Sequence, residues 1–375
     1  MVEVPRTTQE ADAAFVTAAL HEGGVLSSGT RVAEVEHETI GEGVGIVGQL
    51  ARLRLRYDGQ AADAPGTVIL KIPSQYPENR AMGDHFSFYE REARFYDLLA
   101  DKVPLRTAQC YWNHAEPATG SFGLLLEDLG DRTMISQIAG VSGARTVEAL
   151  RALARLHGAW WESPLLRDLD WMPRLDAPLN LAAGQQYRDA WPLFVERIGD
   201  AIPAEALALG ERTQQVFEHI LQIGIAEAPL TVCHGDFRAD NLMFDDRAGA
   251  DDVVAVLDWQ IAYQGPGVTD VAYFLCQSLT VDERRAHEAD LVRGWYDELA
   301  ATARREQGAT LDDYPFEVAW WQYRRASLGT TVYPVTAMGA MDPANDRGRE
   351  LVAQMAVRSF TAALDLDAGE LLPPA

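Results

Sequence analysis

The chain has 375 residues, with 32 Lys+Arg against 56 Asp+Glu and a formal net charge of -24. That charge repels phosphate backbones and anionic lipid surfaces, which excludes nucleic-acid and membrane-surface binding as leading functions. A hydrophobic content of 47% is that of a globular chain, and the length predicts two structural units or one large bilobal domain. The N-terminus lacks the apolar core of a secretory signal, and no apolar run reaches the roughly 18 residues of a membrane helix. Cys110, Cys233 and Cys276 are too scattered for a disulfide framework or a paired metal motif. These features predict a cytoplasmic, reduced protein.

Common motifs are absent. Neither lysine, Lys71 or Lys102, stands in Gly-Lys-Ser/Thr, so there is no Walker loop. The His-Glu pairs at His21, His37 and His287 lack the second histidine of the zinc motif, and no G-x-S-x-G elbow occurs.

In chain order, Thr7-Thr8-Gln9-Glu10 predicts a capping box and an Ala-rich helix to about Leu20. A strand is expected over Arg31–Ile40, followed by a glycine-rich loop with G-x-G-x-x-G from Gly43 to Gly48. A dinucleotide-binding reading requires a helix next. Instead Ala51, Leu53, Leu55 and Tyr57 alternate with Arg52, Arg54 and Arg56, a period of two that predicts a strand. A glycine loop between antiparallel strands fits a phosphate-covering loop, with Gly43 and Gly45 as candidate contacts.

Thr67–Ile72 reads as a strand, and Lys71 at its apolar end needs an acidic partner to be buried. Phe86–Leu99 has helical periodicity, and Glu92 falls on its apolar face among Phe88, Tyr89, Phe95 and Tyr96. A Lys71–Glu92 ion pair satisfies both groups. Thr107–Trp112 and Ser121–Glu127 predict two further strands, the second running into a hinge at Glu127-Asp128-Leu129-Gly130. Beyond it, Val147, Leu150, Leu153, Leu156 and Trp160 mark an amphipathic helix, with His157 expected as a satisfied core histidine.

The most informative stretch is His234-Gly235-Asp236 through Asn241, which has the H-x-D-x-x-x-x-N spacing of a phosphoryl-transfer loop. Asp258, 17 positions after Asn241, ends the apolar run Val253–Leu257. Phosphoryl transfer needs a carboxylate to orient and deprotonate the attacking hydroxyl, and oxygen ligands for Mg²⁺. Asp236 suits the first role, and Asn241 and Asp258 suit the second.

With these residues in order, the sequence resembles the aminoglycoside phosphotransferase and choline kinase superfamily, most of all its ecdysteroid-kinase-like branch. The resemblance rests on His234 to Asn241, Leu257-Asp258-Trp259, Gly265-Pro266-Gly267 with Asp270, Glu92-Ala93-Arg94-Phe95-Tyr96, and Leu125 to Leu129. It implies an α+β, bilobal protein-kinase-like fold: a small antiparallel-sheet N-lobe with one key helix over 1–126, a hinge over 127–131, and a larger, mainly helical C-lobe over 132–375. It further implies ATP, with adenine bonded to hinge backbone near Glu127, Asp128 and Leu129, and Lys71 on the α- and β-phosphates, positioned by Glu92. By the same resemblance His234 and Asp270 brace the catalytic loop, and Arg238 neutralises the γ-phosphate.

After Asp258 the chain reads Trp259-Gln260 where protein kinases have Phe-Gly, and no Ala-Pro-Glu follows. The segment that docks peptides is missing, so the expected acceptor is a small-molecule hydroxyl and not a protein. Trp160, Trp161, Trp295, Trp320, Trp321 and Tyr323 are dense enough to line a pocket for a bulky alcohol, although core packing of a helical lobe accounts for most of them. A pseudokinase acting through a partner and adenylyl transfer on the same fold are the alternatives.

Overall fold

In the computed structural model, which describes residues 2–40, 47–59, 61, 63–247, 253–340 and 346–373, internal contacts divide the chain into two units. The first comprises Met1–Lys102, Thr107–Arg132 and Leu257–Ile261; the second comprises Val103–Arg106, Thr133–Val256 and Ala262–Ala375. The sheet-rich first unit and the helical second one give the α+β composition expected.

The N-terminal helix starts later than the sequence predicts. Thr8–Glu10 forms a single 3-10 turn, and α1 (Ala13–Glu22) begins at Asp12, whose Oδ1 accepts the Phe15 N–H at 2.8 Å. A capping box would aim Glu10 at the Thr7 amide, but the Glu10 carboxylate accepts the Arg6 N–H at 2.9 Å, and Asp is the stronger cap.

Five strands follow: β1 (Arg31–Ile40), β2 (Gly48–Asp58), β3 (Thr67–Pro73), then, past α2 (Pro77–His85), α3 (Phe88–Leu98) and the two-residue β4 (Arg106–Thr107), β5 (Cys110–Glu116) and β6 (Ser121–Glu127). They form an antiparallel sheet in the order β1-β2-β3-β6-β5. The alternation in β2 puts Ala51, Leu53 and Leu55 into a core with Val68, Leu70 and Ile72 of β3 and Val16, Ala19 and Leu20 of α1. Burying each such aliphatic side chain contributes about 1.5–3 kcal/mol. The strand expected over Thr107–Trp112 is broken, because the Gln109 carbonyl accepts the Glu127 N–H and the Gln109 N–H donates to the Glu127 carboxylate. Trp112 lies over Gly123 of the neighbouring strand, where an added Cβ would stand 2.8 Å from the indole, so only glycine admits the ring.

The second unit holds β7 (Thr133–Met134), α4 (Gly143–Ala159), α5 (Pro178–Ile198), α6 (Ala204–Gln215), α7 (Phe217–Glu227), β8 (Thr231–Cys233), β9 (Leu242–Phe244), β10 (Val254–Val256), β11 (Tyr263–Gly265), α8 (Val268–Ser278), α9 (Val281–Gln307), α10 (Phe316–Thr330), α11 (Val332–Ala340) and α12 (Asp346–Asp365). β8 pairs with β11, and β9 with β10, both antiparallel and fully buried. The loop from His234 to Asn241 is thereby stretched between two anchored strands. α8 is apolar almost all round and buried along nearly its whole length, packed by α10 and α12. Among the described residues no helix is long and apolar enough to cross a membrane.

Candidate active site

In the first unit, strand alternation sends Leu70 and Ile72 into the core and turns Lys71 to the opposite face. Its Nζ donates to Glu92 Oε1 at 2.8 Å and to Asp258 Oδ1 at 2.9 Å. Lys71 is 8% exposed and Glu92 1%. Burial works against the Lys71 charge but is outweighed by Asp258 and Glu92, so the ammonium is held above its ordinary value. Burial pushes the Glu92 carboxyl up to about 7, with Lys71 pulling it down and Asp258 pushing it further up. One ammonium between two carboxylates leaves one negative charge in excess when all three are ionised.

Asp258 has a positive φ of 64°, unusual for a residue with a side chain. The next residue fixes that turn. The Trp259 indole, fully buried, stacks on Phe95 with centroids 3.9 Å apart and planes 6° from parallel. Phe95 and Glu92 are three apart on α3, hence on one face. A single helix face therefore engages Lys71 through Glu92 and seats the Asp258-Trp259 turn through Phe95.

In the second unit, Asp236 is held on both oxygens. Tyr273 O–H donates to Oδ1 at 2.6 Å, and Asn241 Nδ2 and Arg238 Nε donate to Oδ2 at 2.9 and 3.2 Å. Asn241 Nδ2 also donates to the Asp236 carbonyl at 2.9 Å. Both partners are acceptors, so the amide nitrogen must face them, which leaves Oδ1 as the acceptor oxygen of the Asn241 amide. Arg238 is not a solvated loop residue: it also donates to Asp240 at 2.9 Å. Burial disfavours its charge, yet Asp236, Tyr273 and Asp240 hold its titration above the ordinary value.

The loop backbone is fixed by Asp270, 1% exposed, which accepts the N–H groups of His234 at 2.7 Å and Gly235 at 2.9 Å. Gly235 has φ 85°, a conformation that favours glycine. His234 Nδ1 in turn accepts the Asp236 N–H at 3.2 Å. Glu127, Asp128 and Leu129 lie where β6 ends, with Asp128 tied to Arg52 Nε at 2.7 Å and to the Gly130 N–H at 3.0 Å. Gly43 and Gly45 lie outside the described residues.

Two contributors escaped the sequence reading. Tyr273 is three residues after Asp270 on α8, so the spacing alone would have put it on the same face. Gln137 bonds the loop from a distant segment, its N–H donating to Asp240 and its Oε1 accepting the Ala239 N–H, and no local pattern marks it. His157 is a satisfied core residue as expected. The Trp295 indole N–H can only donate, so His157 Nδ1 accepts it and Nε2 carries the hydrogen toward Asp270 Oδ2, at 3.2 and 3.3 Å. That tautomer leaves no lone pair for a metal, although His157, Cys233 and Asp270 cluster within 4.8 Å. Burial also pushes the Cys233 thiol far up, away from the thiolate a metal needs. Trp160, Trp161, Trp295 and Tyr323 are buried in packing. A cavity of ≈ 650 Å³ in the second unit is lined by Ser163, Leu166, Arg174 and Gln264 among others, and none of the expected site residues borders it.

A family model described as the phosphotransferase enzyme family matches residues 60–314. An uncharacterized kinase-like protein of Caenorhabditis elegans is 26% identical over 184 residues, 46% of this chain and 46% of that protein, so the match spans under half the length of that curated relative. Among solved structures, the choline kinase of Cryptosporidium parvum Iowa II has a TM-score of 0.57 at 11% identity, covering 90% of this chain and 92% of that one. A mutant aminoglycoside 2′-phosphotransferase-IIIa in its GDP complex has a TM-score of 0.51 at 12% identity, covering 96% and 98%. At such identities the solved structures establish the fold alone.

Proposed function

The chain belongs to the phosphotransferase enzyme family, and from that premise we propose that it is an ATP- and Mg²⁺-dependent kinase moving the γ-phosphoryl group to a hydroxyl of a small molecule. The observation that carries this reading is the Asp236 carboxylate, fixed by Tyr273, Asn241 and Arg238 on a loop anchored by Asp270. A base so held is preorganised to receive the proton of an attacking hydroxyl. The acceptor oxygen forms the new bond to γ-phosphorus, the bond to the β–γ bridging oxygen breaks, ADP leaves, and the proton passes to Asp236.

Lys71, kept charged and aimed by Glu92 and Asp258, is the cation for the α- and β-phosphates. Asn241 Oδ1 and the Asp258 carboxylate are hard oxygen donors of the kind a divalent cation takes. Bound Mg²⁺ would neutralise charge on the phosphates. His234 and Asp270 are positioning residues. Arg238, bonded to the base, is assigned to the γ-phosphate. Adenine is assigned to backbone at Glu127, Asp128 and Leu129. The absence of a peptide-docking segment favours a small acceptor.

The test is ADP release from Mg·ATP over a panel of aminoglycosides, macrolides, steroids, choline and simple sugars, with Asp236→Asn as the blank. Acceptor-stimulated release that disappears in the variant supports the assignment, and the acceptor should gain about 80 Da. Turnover in Asp236→Asn equal to wild type would refute the base. A gain of about 329 Da would indicate adenylyl transfer instead.

A further inference from the structure

Arg91 is electrostatically out of place. It is the fourth residue of α3, so its side chain runs back toward the helix N-terminus. There its NH2 donates to the Phe86 carbonyl at 3.0 Å, one residue before the N-cap Ser87. The positive end of the helix already disfavours a cation at this position. No side chain caps that end: Ser87 sits at φ 54° and its side chain accepts nothing from the first turn, while its carbonyl takes the Arg91 N–H. The first-turn amides have no partner within the helix.

The guanidinium is also buried and poorly satisfied. Arg91 is 3% exposed, its Nε is buried without an acceptor, and among the described residues the Phe86 carbonyl is the one hydrogen-bond partner of its guanidinium. No carboxylate pairs with it among the described residues. Burial alone lowers its titration to about 10, with no charged neighbour acting on it. The contrast with other buried arginines is direct. Arg284 pairs with Glu288, Arg238 with Asp236 and Asp240, and Arg358 donates to the carbonyls of Gln137, Ile138 and Gln277. Among the described arginines Arg284 also stands fourth in its helix, buried with an unbonded Nε, but Glu288 and Asp365 pair with it, whereas Arg91 has these features without a carboxylate.

A buried cation without a counter-charge is unfavourable, and an oxyanion would offset all three defects together. We propose that Arg91 and the uncapped first turn of α3 form a binding site for a phosphoryl group, apart from the Lys71–Glu92–Asp258 cluster. The guanidinium offers a planar fork of donors and the helix end offers amides, a combination matched to phosphate oxygens. The stacked rings of Phe86 and Phe88, 5.4 Å apart, border that helix end.

The experiment is a thermal-shift titration of the full chain with inorganic phosphate, ionic strength held constant with chloride, and acetate as a carboxylate arm. Wild type and Lys71→Met should both show a saturable rise in Tm with phosphate, because the response does not depend on Lys71. Arg91→Met should melt at or above wild type in chloride and show no phosphate response. A response lost in Lys71→Met and kept in Arg91→Met overturns the proposal, as does a wild type indifferent to phosphate. Acetate acting as strongly as phosphate overturns the phosphoryl assignment. If Arg91→Met does not fold, Arg91→Lys decides: at least a tenfold loss of phosphate affinity supports the site, and unchanged affinity overturns it.

Discussion

Trp259 lies flat on Phe95, 3.9 Å between centroids, and this contact seats the residue that follows Asp258 on the same helix that carries Glu92. Replacing the indole by a methyl group leaves a large void. Trp259→Ala should destabilise the protein by about 3–5 kcal/mol and weaken Mg·nucleotide binding, because the Asp258 turn loses its anchor. Trp259→Phe should retain most of both. Urea denaturation and nucleotide titration of the two variants check this, and an alanine variant as stable as wild type would dismiss the anchor.

Lys71 is the cation shared by two carboxylates, one of them buried. Lys71→Ala leaves Glu92 and Asp258 facing an empty space, a change worth about 3–5 kcal/mol for a buried pair, and should also lose the phosphate-dependent part of ATP affinity. The double variant Lys71→Met, Glu92→Met should recover stability without recovering nucleotide binding. Equal losses of ATP and adenosine affinity in Lys71→Ala would contradict the phosphate role.

Tyr273 donates to the oxygen of Asp236 that Asn241 leaves alone. Tyr273→Phe removes one hydrogen bond to a charged group, about 1.5–3 kcal/mol, and should lower kcat by roughly tenfold or more while leaving the nucleotide Kd unchanged. A parallel rise in KM for ATP with unaltered kcat would show that the phenol does not act on the base.

Asp270 acts on the loop backbone and not on substrate. Asp270→Asn replaces a charged acceptor of two amide bonds by a neutral one and should speed hydrogen exchange at His234 and Gly235 before global unfolding sets in. If exchange there is unchanged, the loop is held by its flanking strands alone.

Much of this was legible in the chain because local rules and tertiary environment agree. The period-two run over Ala51–Tyr57 became β2, and the apolar face around Glu92 became the buried face of α3. The Lys71–Glu92 pair follows from the impossibility of burying either charge alone. What escaped was settled by long-range contacts. The break at Gln109 depends on Glu127, 18 positions away, and the loop contact of Gln137 spans 102 positions to Ala239. α2 escaped because Pro77–His85 has little apolar periodicity, and the later start of α1 turned on which amide Glu10 reached. Tyr273 was within reach of helical spacing from Asp270, yet nothing local said that its face would meet Asp236.

The residues Leu257–Ile261 belong to the first unit although both flanking stretches belong to the second. No single cut in the polypeptide therefore releases the first unit whole. A fragment ending at Arg132 would keep Lys71 and Glu92 but lack Asp258, and its Phe95 ring would have no Trp259 to lie against. The part of the chain made first during synthesis is thus chemically unfinished until a segment more than a hundred residues downstream arrives, which places completion of the sheet-bearing half midway through synthesis of the helical one.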